Sequence, residues 1–143
     1  MLKKVKLFIK SHIDNLDSAG LPEGDAEVSE LSVLGTMKIN GDGISLSYNE
    51  NTESGELHSY ILADEGGVTV MRNGAIVSTL RFSEGEVYNT VYELPPYKFD
   101  ISVTTKKIRN TLTESGGALD IIYEMNVGGA AKRTKMKITV SEV

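Results

Sequence analysis

Apolar and polar residues alternate along most of this chain, and turn-forming residues interrupt the alternation about every 8–12 positions. A repeat of two residues is that of a β-strand, because successive side chains point to opposite faces of a sheet. The first run places an apolar face opposite a basic one: Val5, Leu7, Ile9 and Ile13 against Lys4, Lys6, Lys10 and His12. Short strands at this spacing are typical of an all-β sandwich or barrel.

Glycine and proline mark the ends of roughly ten candidate strands. Asn73-Gly74 predicts a hairpin turn, since both residue types tolerate positive φ. Residues 40–43, with the sequence NGDG, predict another turn. Pro95-Pro96 ends a strand, because proline has no backbone N–H to donate to a sheet.

Three segments depart from the regular alternation. Residues 16–30 are acidic, contain glycine and proline, and predict a loop. Gly35 lies in the middle of a candidate strand over residues 29–39, which is typical of a bulge or a bend. Residues 106–112 are compatible with a short helical turn in place of a strand end.

The length of 143 residues predicts a single domain, residues 1–143, that can bury a hydrophobic core. We expect an all-β fold, a single antiparallel barrel of about eight to ten strands. Closure into a barrel removes the unpaired edges that promote aggregation. A two-sheet sandwich remains the alternative, since periodicity does not distinguish the two.

Composition bears on the cellular setting. The chain has no cysteine, which excludes disulfides and cysteine-based catalytic or metal sites. Lys6 and Lys10 interrupt the apolar residues of the N-terminal segment, so it does not match a secretory signal peptide. No run approaches the ~18 apolar residues of a membrane helix. We expect a cytoplasmic protein with no membrane association.

The residues that usually carry catalysis form no known pattern here. His12 and His58 are the only histidines, and neither has a second candidate ligand at the spacing of a metal motif. The sequence contains neither the G-x-S-x-G pattern of a nucleophile elbow nor the G-x-x-x-x-G-K-[ST] pattern of a phosphate loop. We therefore expect no enzymatic activity, no cofactor and no metal site.

A candidate ligand site comes from polar residues that continue apolar strand faces. Glu50 follows a face that includes Tyr48, Arg72 extends another, and Tyr123 lies within the long apolar face of residues 119–127. If these faces point into a barrel, Glu50 and Arg72 need each other or a ligand, because an unpaired buried charge is unfavourable. The site hypothesis is a pocket at the barrel opening, lined by Tyr48, Glu50, Arg72 and Tyr123. The competing interpretation, favoured by the adjacent turns, is that both charges are solvated at strand ends.

Charge is unevenly distributed in a chain of net charge −5: residues 1–10 carry +4, residues 98–143 carry +3 and residues 11–97 carry −12. In a closed meander the first and last strands are neighbours, which brings together two basic sets: Lys4, Lys6 and Lys10 with Arg133, Lys135 and Lys137. Such a patch is typical of anion or RNA binding. Lysines on terminal strands also prevent edge-to-edge pairing. We expect this second role, and no nucleic-acid partner.

Six segments in a fixed order carry a family resemblance: GISLSYNENTESG (43–55), VTVMRNG (68–74), LRFSEGE (80–86), YELPPY (92–97), ISVTT (101–105) and GGALDIIYEMNV (116–127). The ordered set resembles the YwiB-like family, an uncharacterised group of bacterial proteins. The resemblance covers nearly the whole chain and implies a calycin-like β-barrel that is similar to lipocalins. It implies no catalytic residues, and a shared fold alone does not assign a function.

Two functions remain open on the sequence. The first is a binding barrel that holds a small apolar or amphipathic ligand in the barrel or at its mouth. The second is a structural or protein-interaction module with a filled core, and the medium and large residues on the inward faces favour such a filled interior.

Overall fold

The computed structural model describes residues 2–41 and 43–143, most of which lie in ten β-strands. The strands are β1 (Leu2–Leu16), β2 (Pro22–Asn40), β3 (Gly43–Thr52), β4 (Gly55–Asp64), β5 (Gly67–Gly74), β6 (Ser78–Phe82), β7 (Val87–Leu94), β8 (Tyr97–Asn110), β9 (Gly117–Val127) and β10 (Ala130–Glu142). Across this described part of the chain there is no helix long and apolar enough to cross a membrane.

All ten strands form one antiparallel sheet in the order β6-β5-β4-β3-β2-β1-β10-β9-β8-β7. The sheet curls until its two ends meet, where Val77 and Glu93 exchange backbone hydrogen bonds of 2.9 Å. Gly85 also donates its N–H to the Thr105 carbonyl of β8 at 2.9 Å. The result is a nearly closed barrel, which confirms the predicted all-β barrel.

Alternation along the strands separates the core from the surface. In β1, Val5 and Leu7 are buried while Lys6 and Phe8 are exposed. The inward residues of most strands join one apolar cluster that spans the barrel: Val5, Leu7, Ile9, Met37, Leu46, Tyr48, Ile61, Ala63, Val68, Val70, Leu80, Phe82, Ile101, Val103, Leu119, Ile121, Met136, Ile138 and Val140. The inward side chains therefore form one continuous apolar core inside the barrel.

The loop predicted for residues 16–30 is wrong over most of its length. The chain is extended again from Pro22, and β2 pairs with β1 from there onward. Residues 22–25 and 27–30 are exposed, so neither face of this segment is apolar and the alternation that marks a half-buried strand is missing.

The predicted turn at Asn73-Gly74 lies slightly too early. Both residues remain paired with β4, and the chain reverses over residues 75–77. Pro95-Pro96 ends β7 as predicted. The turn predicted for residues 40–43 includes Asp42, which lies outside the described residues. Residues 106–110 continue β8 instead of forming a helical turn, with a bulge between Thr105 and Lys107.

Gly35 marks a close approach between neighbouring strands. The β1–β2 register has no shift at this position, where Gly35 pairs with Val5 on one side and Tyr48 on the other. A Cβ atom at Gly35 would lie 2.6 Å from the Ser47 carbonyl oxygen and 2.8 Å from a Leu7 methyl carbon. A glycine is therefore needed here because no side chain fits between the strands, and the predicted bulge is absent at this position.

Candidate functional site

The two ends of the barrel differ in how they are closed. At the end that carries the β6–β7 connection, Glu84 accepts a hydrogen bond of 2.8 Å from the Ile108 N–H. Arg81 bonds both Asp64, at 3.2 Å, and the Thr69 hydroxyl, at 2.8 Å. The arginine beside Asp64 lowers the pKa of that carboxyl. These contacts tie the β6–β7 connection across this end to β8 and hold the β4–β5 turn to β6.

The opposite end, which we call the mouth, carries the β3–β4, β5–β6 and β7–β8 turns. A cleft of about 570 Å³ lies among these turns and is lined in part by Gly74, Leu94 and Tyr97. Tyr97 is 64% exposed, and Phe99, two residues further along β8, is 40% exposed. The mouth therefore presents apolar and aromatic surface beside an open cleft.

Below the mouth, a polar row crosses the inner wall formed by β4, β5 and β6. Arg72 pairs with Ser59 on one side and with Ser78 on the other. Ser59 and Ser78 are 0% and 5% exposed. Their hydroxyl oxygens and the Arg72 Nε are buried without a hydrogen-bond partner among the described residues. This row interrupts an otherwise apolar interior with unpaired hydrogen-bonding groups.

A second polar row faces it from β8, β9 and β10. Tyr123 pairs with Thr105 and Thr134, and both threonines are buried. The Tyr123 ring packs against Phe82, with 4.6 Å between the ring centroids. Burial raises the pKa of the Tyr123 phenol, while the positive charge of Arg72 and the Thr134 hydroxyl act in the opposite direction. Arg72 and Tyr123 thus influence each other across the interior.

We call these two rows together the polar belt: Ser59, Arg72, Ser78, Thr105, Tyr123 and Thr134. Hydroxyls and a guanidinium N–H dominate the belt, so it is rich in hydrogen-bond donors. Its unpartnered atoms are Ser59 Oγ, Arg72 Nε, Ser78 Oγ and Thr105 Oγ1. Donors of this kind suit a carboxylate, a carbonyl or another acceptor group of a ligand.

The four residues predicted from the sequence fall at different depths. Tyr48 extends the Ser59 row into β3 and is 6% exposed, with its ring in the core cluster. Glu50 lies one inward position nearer the mouth, opposite Leu57, and is half-buried. Among the described residues no ion pair joins Glu50 to Arg72. The Arg72 charge is near enough to lower the pKa of Tyr123, whereas Glu50 lies at the rim.

The serine and threonine hydroxyls of the belt were missed by sequence reasoning, although one signal for them exists. Ser59 stands in phase with Leu57 and Ile61, both buried, so it is a polar residue on an apolar face like Arg72. Thr105 continues the inward face of Ile101 and Val103 in the same way. Ser78 is the first residue of β6 and has no preceding strand residue to set its phase.

The described residues contain no cluster of candidate metal ligands. Across residues 2–41 and 43–143, no three His, Asp or Glu side chains lie close enough together to hold a metal ion. His12 approaches Asp14 at 3.4 Å, and His58 contacts Asn49. The candidate site is therefore described by its hydrogen-bonding groups alone.

Burial of Tyr123 gives a testable pH dependence. The folded-state pKa of the phenol lies above the ordinary value of about 10, so the folded protein holds this proton more tightly than the unfolded chain does. The resulting stabilisation is complete below about pH 10 and is lost as pH rises through the folded-state pKa. We expect the free energy of unfolding of the wild type to fall more steeply above pH 10 than that of Tyr123→Phe, as measured by urea denaturation. Parallel pH profiles would contradict the burial of this phenol.

Comparison with known proteins gives three findings. The family model described as a domain of unknown function (DUF1934) matches residues 15–139. The uncharacterised β-barrel protein YwiB of Bacillus subtilis (strain 168) is 30% identical over 124 residues, which cover 87% of this chain and 82% of YwiB. The crystal structure of the ywiB protein from Bacillus subtilis superposes with a TM-score of 0.87 at 29% identity, covering 99% of this chain and 93% of that one.

Proposed function

This chain belongs to the DUF1934 family of domains, and within that barrel fold we propose that its mouth binds a small amphipathic molecule. The polar head, an acidic group such as a carboxylate, is received by Arg72 and the polar belt. The apolar part lies against Leu94, Tyr97 and Phe99. Tyr48 supports the belt from the core side, and Glu50 stands at the rim.

The observation that carries the proposal is the Nε of the half-buried Arg72, which is itself buried and has no hydrogen-bond partner among the described residues. A buried donor that lacks a partner costs free energy, and the cost is larger when the group is charged. A bound carboxylate would supply both the acceptor and the opposite charge, and charge-assisted hydrogen bonds of this kind are strong. The proposal therefore explains why an arginine is placed on an inward face.

The continuous apolar core limits how deep such a ligand can enter the barrel. Below the belt, Phe82, Leu119 and Ile121 are each at most 1% exposed and belong to the continuous cluster. A ligand is therefore held at the mouth, with its head inward and its tail along the cleft. Gly74 lines the cleft and lies two residues beyond Arg72, about 7 Å along the strand.

Several further features belong to this proposal. We also propose that the chain is calycin-like and similar to lipocalins, barrels that hold a ligand at one open end. We place the protein in the cytoplasm, and we assign it binding without catalysis, with no cofactor.

A second candidate function is a protein-interaction module without a ligand, and the continuous apolar core favours it. Native mass spectrometry of protein purified from its own host separates the two candidates. A reproducible extra mass of a small molecule supports carriage, whereas a bare chain or a complex with another protein supports the module.

The direct test uses a fluorescent fatty acid, dansylundecanoic acid, and its methyl ester. We expect the acid to bind the wild type more tightly than the ester, because only the acid places a negative charge beside Arg72. Arg72→Gln should weaken binding of the acid about tenfold or more, the equivalent of one charge-assisted hydrogen bond, and leave the ester nearly unchanged.

Two variants control this experiment. Arg72→Lys keeps the charge and should retain part of the preference for the acid. Glu50→Gln removes a rim carboxylate and should leave binding of the acid unchanged or slightly tighter. Equal affinity of wild type and Arg72→Gln for the acid, with both proteins folded by circular dichroism, would contradict the proposal.

A further inference from the structure

The outer face of the barrel carries a cluster of cationic side chains. They lie on the side of the sheet opposite to the polar belt. One cross-strand row runs over β1, β10, β9 and β8: Lys10, Lys137, Asp120 and Arg109. The next row, two residues along each strand, contains His12, Lys135 and Lys107. Together these rows line a groove of about 470 Å³, which we call the basic groove.

The basic groove has a charge opposite to that of the whole chain. Its lining contains five lysine or arginine side chains and one carboxylate, Asp120, whereas the chain has a net charge of −5. All five cationic residues are exposed. The field over this face is therefore positive and open to solvent.

The charges of the groove are only partly compensated, by Asp120, which lies between Lys137 and Arg109 in its cross-strand row. Of its five lysine and arginine residues, only Lys10 has an ion pair among the described residues, with Glu30 at 3.9 Å. Lys10 lies directly opposite Lys137, and like charges at opposite positions of an antiparallel pair are destabilising. A sheet that keeps such a pair gains stability from any anion that binds there.

The position of these strands removes the simplest alternative explanation. Lysines on a sheet edge prevent aggregation, and on the sequence this role was expected for the terminal strands. In the sheet, however, β1 and β10 pair with each other and lie at its centre, while β6 and β7 are the end strands. Lys10, Lys135 and Lys137 therefore protect no edge.

We propose that the basic groove binds the phosphate backbone of a single-stranded nucleic acid. Successive rows of cations lie about 7 Å apart along the strands, which suits a linear polyanion that follows β1 and β10. Phe8 lies on the same outer face, one outward position from Lys10, and is 40% exposed, so its ring is available to stack on a base. The groove is concave, and this shape fits a single nucleic-acid chain better than a planar membrane surface.

Salt dependence follows from this mode of binding. Each phosphate neutralised on a single strand contributes about −0.7 to the slope of log affinity against log salt concentration. With four or five cations engaged, we expect a slope of about −3. Binding through stacking alone would show a slope near zero.

The test is fluorescence anisotropy with a labelled single-stranded oligouridine at low salt, repeated over a salt series. The triple variant Arg109→Gln, Lys135→Gln and Lys137→Gln should weaken binding at least tenfold and flatten the salt slope. The matched control Lys38→Gln, Lys98→Gln and Lys132→Gln removes the same charge outside the groove and should bind within about twofold of the wild type. Phe8→Ala, made in the wild type, should also weaken binding of the oligouridine, but without changing the salt slope.

Three outcomes would overturn the inference: no binding of the RNA by the wild type, equal losses in the groove and control variants, or binding of phosphatidylserine vesicles in place of RNA. The mouth is independent of this site. Arg72→Gln should keep full affinity for the oligouridine, and the groove variant should keep its affinity for dansylundecanoic acid, so that either proposal can fail alone.

Discussion

Replacing Phe82 with alanine is expected to lower the free energy of unfolding by about 3–5 kcal/mol, the usual cost of removing a buried aromatic ring. Phe82 is 1% exposed, and its ring lies 4.6 Å from that of Tyr123. It is also the last residue of β6, the strand at which the sheet curls back to meet β7 and β8. The variant therefore loses core contacts next to the closure of the barrel.

Urea denaturation followed by circular dichroism measures this loss. Phe99→Ala is the matched control, because Phe99 is 40% exposed at the mouth and should cost much less. A loss below about 1 kcal/mol for Phe82→Ala would mean that the ring is not a part of a tightly packed core. Equal losses for the two variants would contradict the buried-to-exposed order of these rings.

Substitution of Gly35 by alanine gives the second large effect, a loss of about 1–3 kcal/mol from overpacking. The new Cβ would lie 2.6 Å from the Ser47 carbonyl oxygen, a backbone atom that cannot move without shifting β3. It would also meet Leu7 at 2.8 Å. Because the φ angle at Gly35 lies outside the left-handed region, the loss reports crowding and not backbone strain.

Gly66→Ala controls for the general effect of removing a glycine. Gly66 also lies outside the left-handed region, and the nearest atom to its new Cβ is the far end of the Arg81 side chain, at 2.8 Å. That guanidinium can move, so the cost should be smaller than at Gly35. A Gly35→Ala variant as stable as the wild type in thermal denaturation would show that β2 and β3 are not held this close.

The strands and their inward faces were predictable because a half-buried strand leaves a signal in the sequence. Val5, Leu7 and Ile9 alternate with lysines, and the structure buries the first set and exposes the second. The same reasoning fails at residues 22–30, where β2 is exposed on both faces and nothing in the sequence alternates. It also misplaces the turn after Gly74, because pairing with β4 continues to the end of the strand.

Closure of the sheet was a prediction from hairpin number and from family resemblance, and it is confirmed. Periodicity fixes the face of each residue but not its partner across the barrel. Arg72 on β5 and Tyr123 on β9 were each noted as polar residues in phase with an apolar face, but the sequence favoured a solvated Arg72 and gave no signal that the two rows face each other. The pairing of Glu50 with Arg72, considered on the same grounds, is absent because their rows differ in depth.

Register also explains the basic groove. The sequence predicts that the first and last strands are neighbours, and the structure pairs Lys10 with Lys137 and His12 with Lys135. The contributions of Lys107 and Arg109 depend on the bulge after Thr105, which sets the outward phase at the end of β8. A one-residue bulge of this kind has no reliable sequence signal.

We propose that Arg72 receives the acidic head of a ligand at the mouth of the barrel. The most direct measurement is an NMR titration of the Arg72 Nε–H signal with undecanoic acid, assigned with the Arg72→Lys variant. We expect a large, saturable downfield shift of this proton at one equivalent of ligand, together with shifts of signals from Tyr97 and Phe99. Two results would contradict this assignment. One is an Nε–H signal that does not shift while undecanoic acid binds elsewhere on the protein, and the other is no binding of undecanoic acid at all.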